Sequence, residues 1–395
     1  MRTIKSLPAV FLFLLLEINS YGQQQWPLKD WPVATPQSQS MNADSLQAFD
    51  EAIASGKFGY VDGMIVTRHG KLLYQKTYKH DYKKIYGDSA GKKSGLNALD
   101  PGGPYNYYNA WWHPYYHGSE LHSLQSVTKT ITSVIMGVAA ARNEFPDLST
   151  PVLHFFDTTQ VKNIDDRKRR MTIRHLLTMT SGFDWNENLH YSDSRNDCSV
   201  MEASFDWVQY VIDKPMALEP GQSFNYNSGA SQLLAFIFRK ATGRDIEEYA
   251  AKNLFSPLEI NQFFWKRIPT GLCDTEGGLY LAATDLAKIY YLFLMDGNWN
   301  GQQLVTKEWV KASVTPSITV GRGVKYGYKW WLHEYDAEHS KYAWTGSGFG
   351  GQWPIIIPEY RIVAVFTGWN IIDGKPSLRV KESIRRLINA VSDKK

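Results

Sequence analysis

Cysteine is almost absent from this chain: Cys198 and Cys273 are the only two in 395 residues. So few exclude a disulfide-stapled scaffold and a cysteine-rich zinc fold. Both fall in stretches read as loops, and nothing in the sequence brings their Cα atoms within bonding reach. Charge of one sign is also scarce. The formal charge of +4 becomes +3 if Arg2, Lys5 and Glu17 leave with an N-terminal leader (two positives and one negative), too little to suggest a nucleic-acid partner. The basic run 167–170 is expected on a solvated turn at a helix entry. Beyond residues 8–16 no apolar run approaches the length of a membrane span, so none is expected. Two catalytic signatures are missing as well. Without G-x-S-x-G an α/β-hydrolase is unsupported, and without H-E-x-x-H a zinc protease is too. His113, His117 and His122 are broken by Pro114, so neither metal nor other cofactor is expected.

What is present begins with Arg2 and Lys5 before the apolar run 8–16, with Ser20 and Gly22 where a signal peptidase reads small residues. Residues 1–22 are read as a signal peptide, which implies a secreted or periplasmic protein starting near Gln23. No cysteine follows the run to carry a lipid. Roughly 370 residues remain, enough for one large core, and 23–395 is read as one domain.

Periodicity gives a helix over 45–57, a strand over 64–67, a turn at His69-Gly70 and a strand over 72–77. The polar stretch 79–104 has no period and reads as an exposed loop. Tyr105, Tyr107, Tyr108, Trp111, Trp112, Tyr115 and Tyr116 then lead to Ser126 and are candidates for one wall of a substrate cleft. From Ser126 to Gly297 the pattern is mostly helical, with terminators at Gly182 and Gly243. Short strands follow at 342–345, 353–357 and 362–366. A closing helix carries Val380, Ile384, Leu387, Ile388 and Val391 on one stripe. Strands at both ends around a helical middle imply an α/β (α+β) fold. Its antiparallel sheet is built from N- and C-terminal strands flanked by helices, with an inserted helical lobe at about 143–297.

Ser126-Val127-Thr128-Lys129 opens an apolar helix, so Lys129 lies one turn beyond Ser126 on the same face. A serine hydroxyl needs a base, and a lysine serves as one only if its pKa is lowered. The helix N-terminus adds a positive field for an oxyanion. A second Ser-x-x-Lys, Ser89 to Lys92, sits in the Gly- and Lys-rich loop and reads as coincidence. A further element is Phe224-Asn225-Tyr226-Asn227-Ser228 ahead of another apolar helix. His175, Asp184 and Glu187 are within reach of a substrate site but are read first as solvated helix-end residues.

The stretches 124–137 around Ser126, 172–182 (Thr-Ile-Arg-His-Leu-Leu-Thr-Met-Thr-Ser-Gly), Glu276-Gly277-Gly278-Leu279-Tyr280, Tyr326-Gly327-Tyr328-Lys329-Trp330-Trp331 and Gly350-Gly351-Gln352 resemble the serine β-lactamase and penicillin-binding-protein superfamily, in its class C and esterase branch. The resemblance runs from about residue 45 to the C-terminus. It implies that Ser126 is the nucleophile, Lys129 the base and Tyr226 the proton-shuttling tyrosine of the family's Y-x-N box, its phenol pKa lowered by the neighbouring ammonium. Ser228 stands where that box has asparagine, with Asn227 as the residue to compensate. Trp344-Thr345-Gly346 stands where penicillin-recognising members have Lys-Thr-Gly. A substrate carboxylate would lose its cation there, and an aromatic or apolar acyl group would gain a surface at Trp344. The resemblance gives the Ser347 N–H a place beside that of Ser126 in the oxyanion hole, although Gly346-Ser347-Gly348 offers a second register.

The resulting expectation is a serine hydrolase forming an acyl-enzyme, an esterase or amidase on a small or peptide-like substrate. Alternatives are a β-lactamase, a D-aminoacyl peptidase and a hydrolase of linear nylon-oligomer-like amides. From a different class comes a penicillin-binding or cell-wall-fragment-binding module that does not turn over.

Overall fold

The computed structural model describes residues 26–87, 107–108, 114–191, 193–371 and 376–393. The expected leader at 1–22, Ser89 and Lys92, and Tyr105, Trp111, Trp112 and His113 lie outside them. An eight-stranded antiparallel sheet runs in the order Lys71–Thr77, Val61–Arg68, Ile362–Gly368, Trp353–Ile357, Tyr342–Thr345, Trp331–Glu334, Val324–Tyr326, Ile318–Gly321. Its second and third strands join the two ends of the chain, with Met64 opposite Phe366 and Val66 opposite Ala364. Both strands are buried along their whole length, which explains apolar runs without polar alternation.

The two-residue period of a strand divides these side chains between two cores. Met64, Val66 and Phe366 face Leu46 and Phe49 of the Ala43–Ala54 helix and Ile384 and Leu387 of the closing Val380–Asn389 helix. Ile65, Val363 and Val365 face the larger core, which contains Val127, Ile131 and Tyr290. At the His69-Gly70 turn φ is 52° and 76°, as a tight hairpin requires. Val391 is buried beyond the end of the closing helix.

Between Thr77 and Ile318 the chain forms mostly helices. Its main helices are Val127–Ala141, Ser228–Thr242 and Ala283–Leu294, and the second ends on Gly243 at φ 68°. A small sheet of His122–Ser123, Leu279–Leu281 and Phe264–Trp265 also lies here, its strands too short to leave a period in sequence. No helix among the described residues is long and apolar enough to cross a membrane.

Several local expectations change. The 79–104 stretch is not all exposed loop, because Tyr82–Tyr86 is helical with Tyr82 and Tyr86 buried. Cys198 lies in the Asp197–Glu202 helix, not a loop, and both cysteines are free and buried. In the basic run, Lys168 is fully buried. Its ammonium donates to the carbonyls of Lys162 at 2.8 Å and Ile212 at 2.7 Å, compensating the desolvation.

Candidate active site

Ser126 is the N-cap of the Val127–Ala141 helix, and its side chain makes no capping bond. The hydroxyl is thereby left for other partners. Gln125 before it takes φ 48°, a left-handed conformation that costs a non-glycine residue about 1 kcal/mol or more. The small sheet holds that turn. Leu124 N–H donates to the Leu279 carbonyl at 2.9 Å, Ser123 pairs with Tyr280, and Leu279 N–H donates to Thr128 Oγ1 at 3.2 Å.

Lys129, 1% exposed, directs its ammonium at Ser126 Oγ (2.9 Å), the Glu276 carbonyl (2.7 Å) and Glu276 Oε2 (3.1 Å). Burial pulls its pKa down, but Tyr226, Glu276 and Glu187 together outweigh burial and hold it well above the ordinary lysine value. The lowered pKa expected from sequence is therefore overturned, and the resting group is an ammonium. Tyr226, from the turn before the Ser228–Thr242 helix, has its hydroxyl in hydrogen-bonding range of both Ser126 and Lys129. Its ring centroid lies 5.2 Å from the lysine nitrogen. Burial raises the phenol above its ordinary value despite the ammonium, so the expected depression is reversed there too.

Ser228 is fully buried and serves Glu187, to which its N–H donates at 2.8 Å and its hydroxyl at 2.6 Å. Trp185 Nε1 at 2.8 Å and the Tyr191 hydroxyl at 3.1 Å fill the rest of that carboxylate. Burial raises the Glu187 pKa. Glu187 is thus a buried part of the site and not a solvated helix end; the sequence around it carries no period that would have marked it. Asn227 does not stand in for the missing amide, because its side-chain oxygen caps the helix at Ala230 N–H, 2.8 Å away. His175 closes a capping box with Thr172, and Asp184 is exposed, as expected of both. His122 is buried against Asp62 at 3.0 Å.

A cleft of about 440 Å³ lies over Ser126, lined among others by Tyr226, Glu187, Tyr191, Trp331, Ser347 and Phe349. Trp344 and Thr345 pair with Ile356 and Ile355 in the sheet and are not among the lining residues. Trp344 is half-buried against the larger core, so the aromatic surface expected from it comes instead from Trp331 and Phe349. Past Thr345 the chain squeezes between neighbours. A Cβ on Gly346 would come within 3.1 Å of Val127, and one on Gly348 within 2.5 Å of the Leu124 carbonyl. Only glycine permits this approach, which sets Ser347 beside Ser126. Among the described residues, the backbone N–H groups of Ser126 and Ser347 donate to no protein acceptor. The described aromatics before Ser126 do not line the cleft. Tyr116 stacks on Phe264 at 3.8 Å, Tyr115 meets His122 at 4.9 Å, and Tyr107 packs edge-on behind Phe349 at 6.0 Å.

Comparisons with known proteins agree with this architecture. The monacolin J acid methylbutanoyltransferase of Aspergillus terreus is 32% identical over 124 residues, 31% of this chain and 30% of that enzyme. Esterase EstB of Burkholderia gladioli is 27% identical over 237 residues, 56% of this chain and 52% of the esterase. The chain thus spans about half or less of the length of these curated relatives. Among solved structures, EstCE1, a hydrolase with promiscuous acyltransferase activity, superposes with a TM-score of 0.64 at 14% identity, covering 90% of this chain and 99% of that one. The pattern of the β-lactamase family matches residues 59–368, and with its sheet completed by both termini around a helical lobe, this chain belongs to the β-lactamase family.

Proposed function

We propose that the chain is a serine hydrolase that forms an acyl-enzyme on Ser126. The observation that carries this reading is the contact of 2.9 Å between Lys129 Nζ and Ser126 Oγ, with the Tyr226 hydroxyl in reach of both. Substrate enters the cleft, Ser126 Oγ attacks its carbonyl carbon, and its proton passes to Lys129 once that ammonium has given one up. The free N–H groups of Ser126 and Ser347 receive the oxyanion, in the register that sets Trp344-Thr345-Gly346 before Ser347. Tyr226 hands a proton to the leaving group. Water then cleaves the acyl-enzyme with Tyr226 and Lys129 taking its proton.

An ester or amide of a small or peptide-like acid suits the cleft best. Trp331, Phe349 and Tyr191 offer apolar contact, and no lysine or arginine is among the lining residues to clamp a substrate carboxylate. A β-lactamase or D-aminoacyl peptidase is less well served for the same reason. Intact-protein mass spectrometry after incubation with p-nitrophenyl butyrate, benzylpenicillin and a D-Ala-D-Ala peptide tests the reading. Turnover of the ester with transient mass added on Ser126 supports it, and a stable penicillin adduct without ester turnover would replace it with a non-turnover binding module. The leader at 1–22 supports export, which N-terminal sequencing of exported protein checks by a start near Gln23.

A further inference from the structure

Lys129 cannot accept the Ser126 proton while it remains an ammonium, because its nitrogen then has no lone pair and only donates. The acceptors they meet are Ser126 Oγ, the Glu276 carbonyl and the Glu276 carboxylate. The first is the group to be deprotonated and the second is not a base. Tyr226 is close, but burial keeps its phenol protonated at neutral pH. Glu276 remains.

Behind Glu276 stands a second carboxyl. Glu202, 2% exposed, hydrogen-bonds the Glu276 side chain and accepts from the Tyr107 hydroxyl at 2.8 Å. Two carboxyls bond to each other only when one carries a proton. Burial, then the charge of Glu276, hold Glu202 well above the ordinary carboxyl value, so Glu202 is the protonated member and the pair carries a single negative charge facing Lys129. The other titratable groups facing the pair are Cys198 on the Glu202 helix, Asp274 and Lys266 beside Glu276, and Glu187 and Tyr226 across Lys129.

We propose that the Glu276–Glu202 pair is the proton store of this site: Glu276 takes one proton from the Lys129 ammonium, and the neutral amine so formed takes the proton of Ser126. The first step breaks one N–H bond and forms one O–H bond, converting an ammonium and a carboxylate into an amine and an acid. It creates no net charge, and because Glu276 itself helps hold Lys129 above the ordinary lysine value, the neutral pair is the minor state, reached as Ser126 attacks. When acylation re-forms the ammonium, Glu276 returns its proton by way of Lys129 and Tyr226 to the leaving group. Glu276 and Glu202 act through Lys129 and are positioning residues for the reaction.

This inference rests on Ser126 being the nucleophile, and its test separates the two. The pH dependence of kcat for p-nitrophenyl butyrate is measured for wild type, Glu276→Gln, Glu276→Asp and Glu202→Gln, with fluorophosphonate labelling of Ser126 counting intact sites. Glu276→Gln leaves competent only those molecules whose Lys129 has lost its proton to solvent. Its kcat at pH 7 should fall at least about 30-fold, KM should change little, and the acid limb should move up by about a pH unit or more, with activity returning at alkaline pH. Glu202→Gln replaces an acid donor by a weaker amide donor at the Glu276 carboxylate, so the limb should move the same way by a smaller amount. Glu276→Asp should bring the limb back toward wild type. A uniform fall in kcat at every pH, with limbs unmoved in Glu276→Gln and Glu202→Gln that still label at Ser126, would overturn the proposal alone. Wild-type turnover that survives Ser126→Ala would overturn the functional reading and this proposal with it.

Discussion

The two sides of the Ser126 cleft are built by different rules. On the helical side the chemistry around Ser126 rests on buried side chains with named partners: Lys129 on Glu276, Ser228 on Glu187, Glu202 on Tyr107. On the strand side the chain offers a backbone N–H at Ser347 and close-fitting glycines, while Trp344 and Thr345 are spent on the sheet. The difference teaches where substitution is tolerated. A strand that contributes main-chain atoms keeps its chemistry when side chains change, so this strand can carry a tryptophan at 344. A network of buried polar side chains has no such freedom, since removing one member strands the others.

Breaking the helical side should therefore have the largest effects. Ser126→Ala is expected to lower kcat/KM for p-nitrophenyl butyrate by about 10³-fold or more, with the melting temperature nearly unchanged because its hydroxyl caps nothing. Tyr226→Phe keeps the ring beside Trp331 but loses the proton carrier, and about 10²-fold loss in kcat is expected; stopped-flow kinetics would show the loss in both acylation and deacylation. The crowding of acids on this side also leaves a thermodynamic mark. Burial, then the charge of Glu276, push Asp274 up to about 7 from its ordinary 3.8. The folded protein then binds the proton more tightly than the unfolded chain, so stability falls as pH rises across that window. Urea unfolding at pH 5 and pH 8 should show this fall, and Asp274→Asn should flatten it.

Changes on the strand side sharpen the contrast by doing little. Ser347→Ala retains the N–H, and at most about a threefold loss in kcat/KM is expected. Trp344→Lys should raise kcat/KM for benzylpenicillin relative to p-nitrophenyl butyrate by less than about tenfold, since the residue does not line the cleft. A larger gain would show that the strand side does recognise substrate through its side chains.

Legibility from sequence follows the same division. Ser126 and Lys129 could be read because they are one helical turn apart at the start of an apolar helix, a local pattern. The sheet could be read because its strands are apolar runs with turn residues between them. Glu276, Glu202 and Tyr107 could not, because they come from three segments that meet only in the folded core. The same holds for Glu187, which lies 41 positions before the Ser228 it holds. Both pKa directions expected at Lys129 and Tyr226 failed for this reason: the reading contained the local helix field and lacked the remote carboxylates and the burial.

The strand pair that joins the two ends of the chain has a consequence for how the molecule comes into being. Thr67 donates its side-chain hydroxyl to the Val363 carbonyl, 296 positions away, and the intervening chain includes the whole helical lobe. Closing so long a loop is entropically expensive and slow. The first strand to leave the ribosome must wait, unpaired on that edge, for nearly the last one to be made. The helix that begins at Ser126 packs on that sheet through Val127 and Ile131, so the proposed site matures last, and a chain cut short before residue 362 is not a smaller enzyme but one whose first strand has lost its inner neighbour.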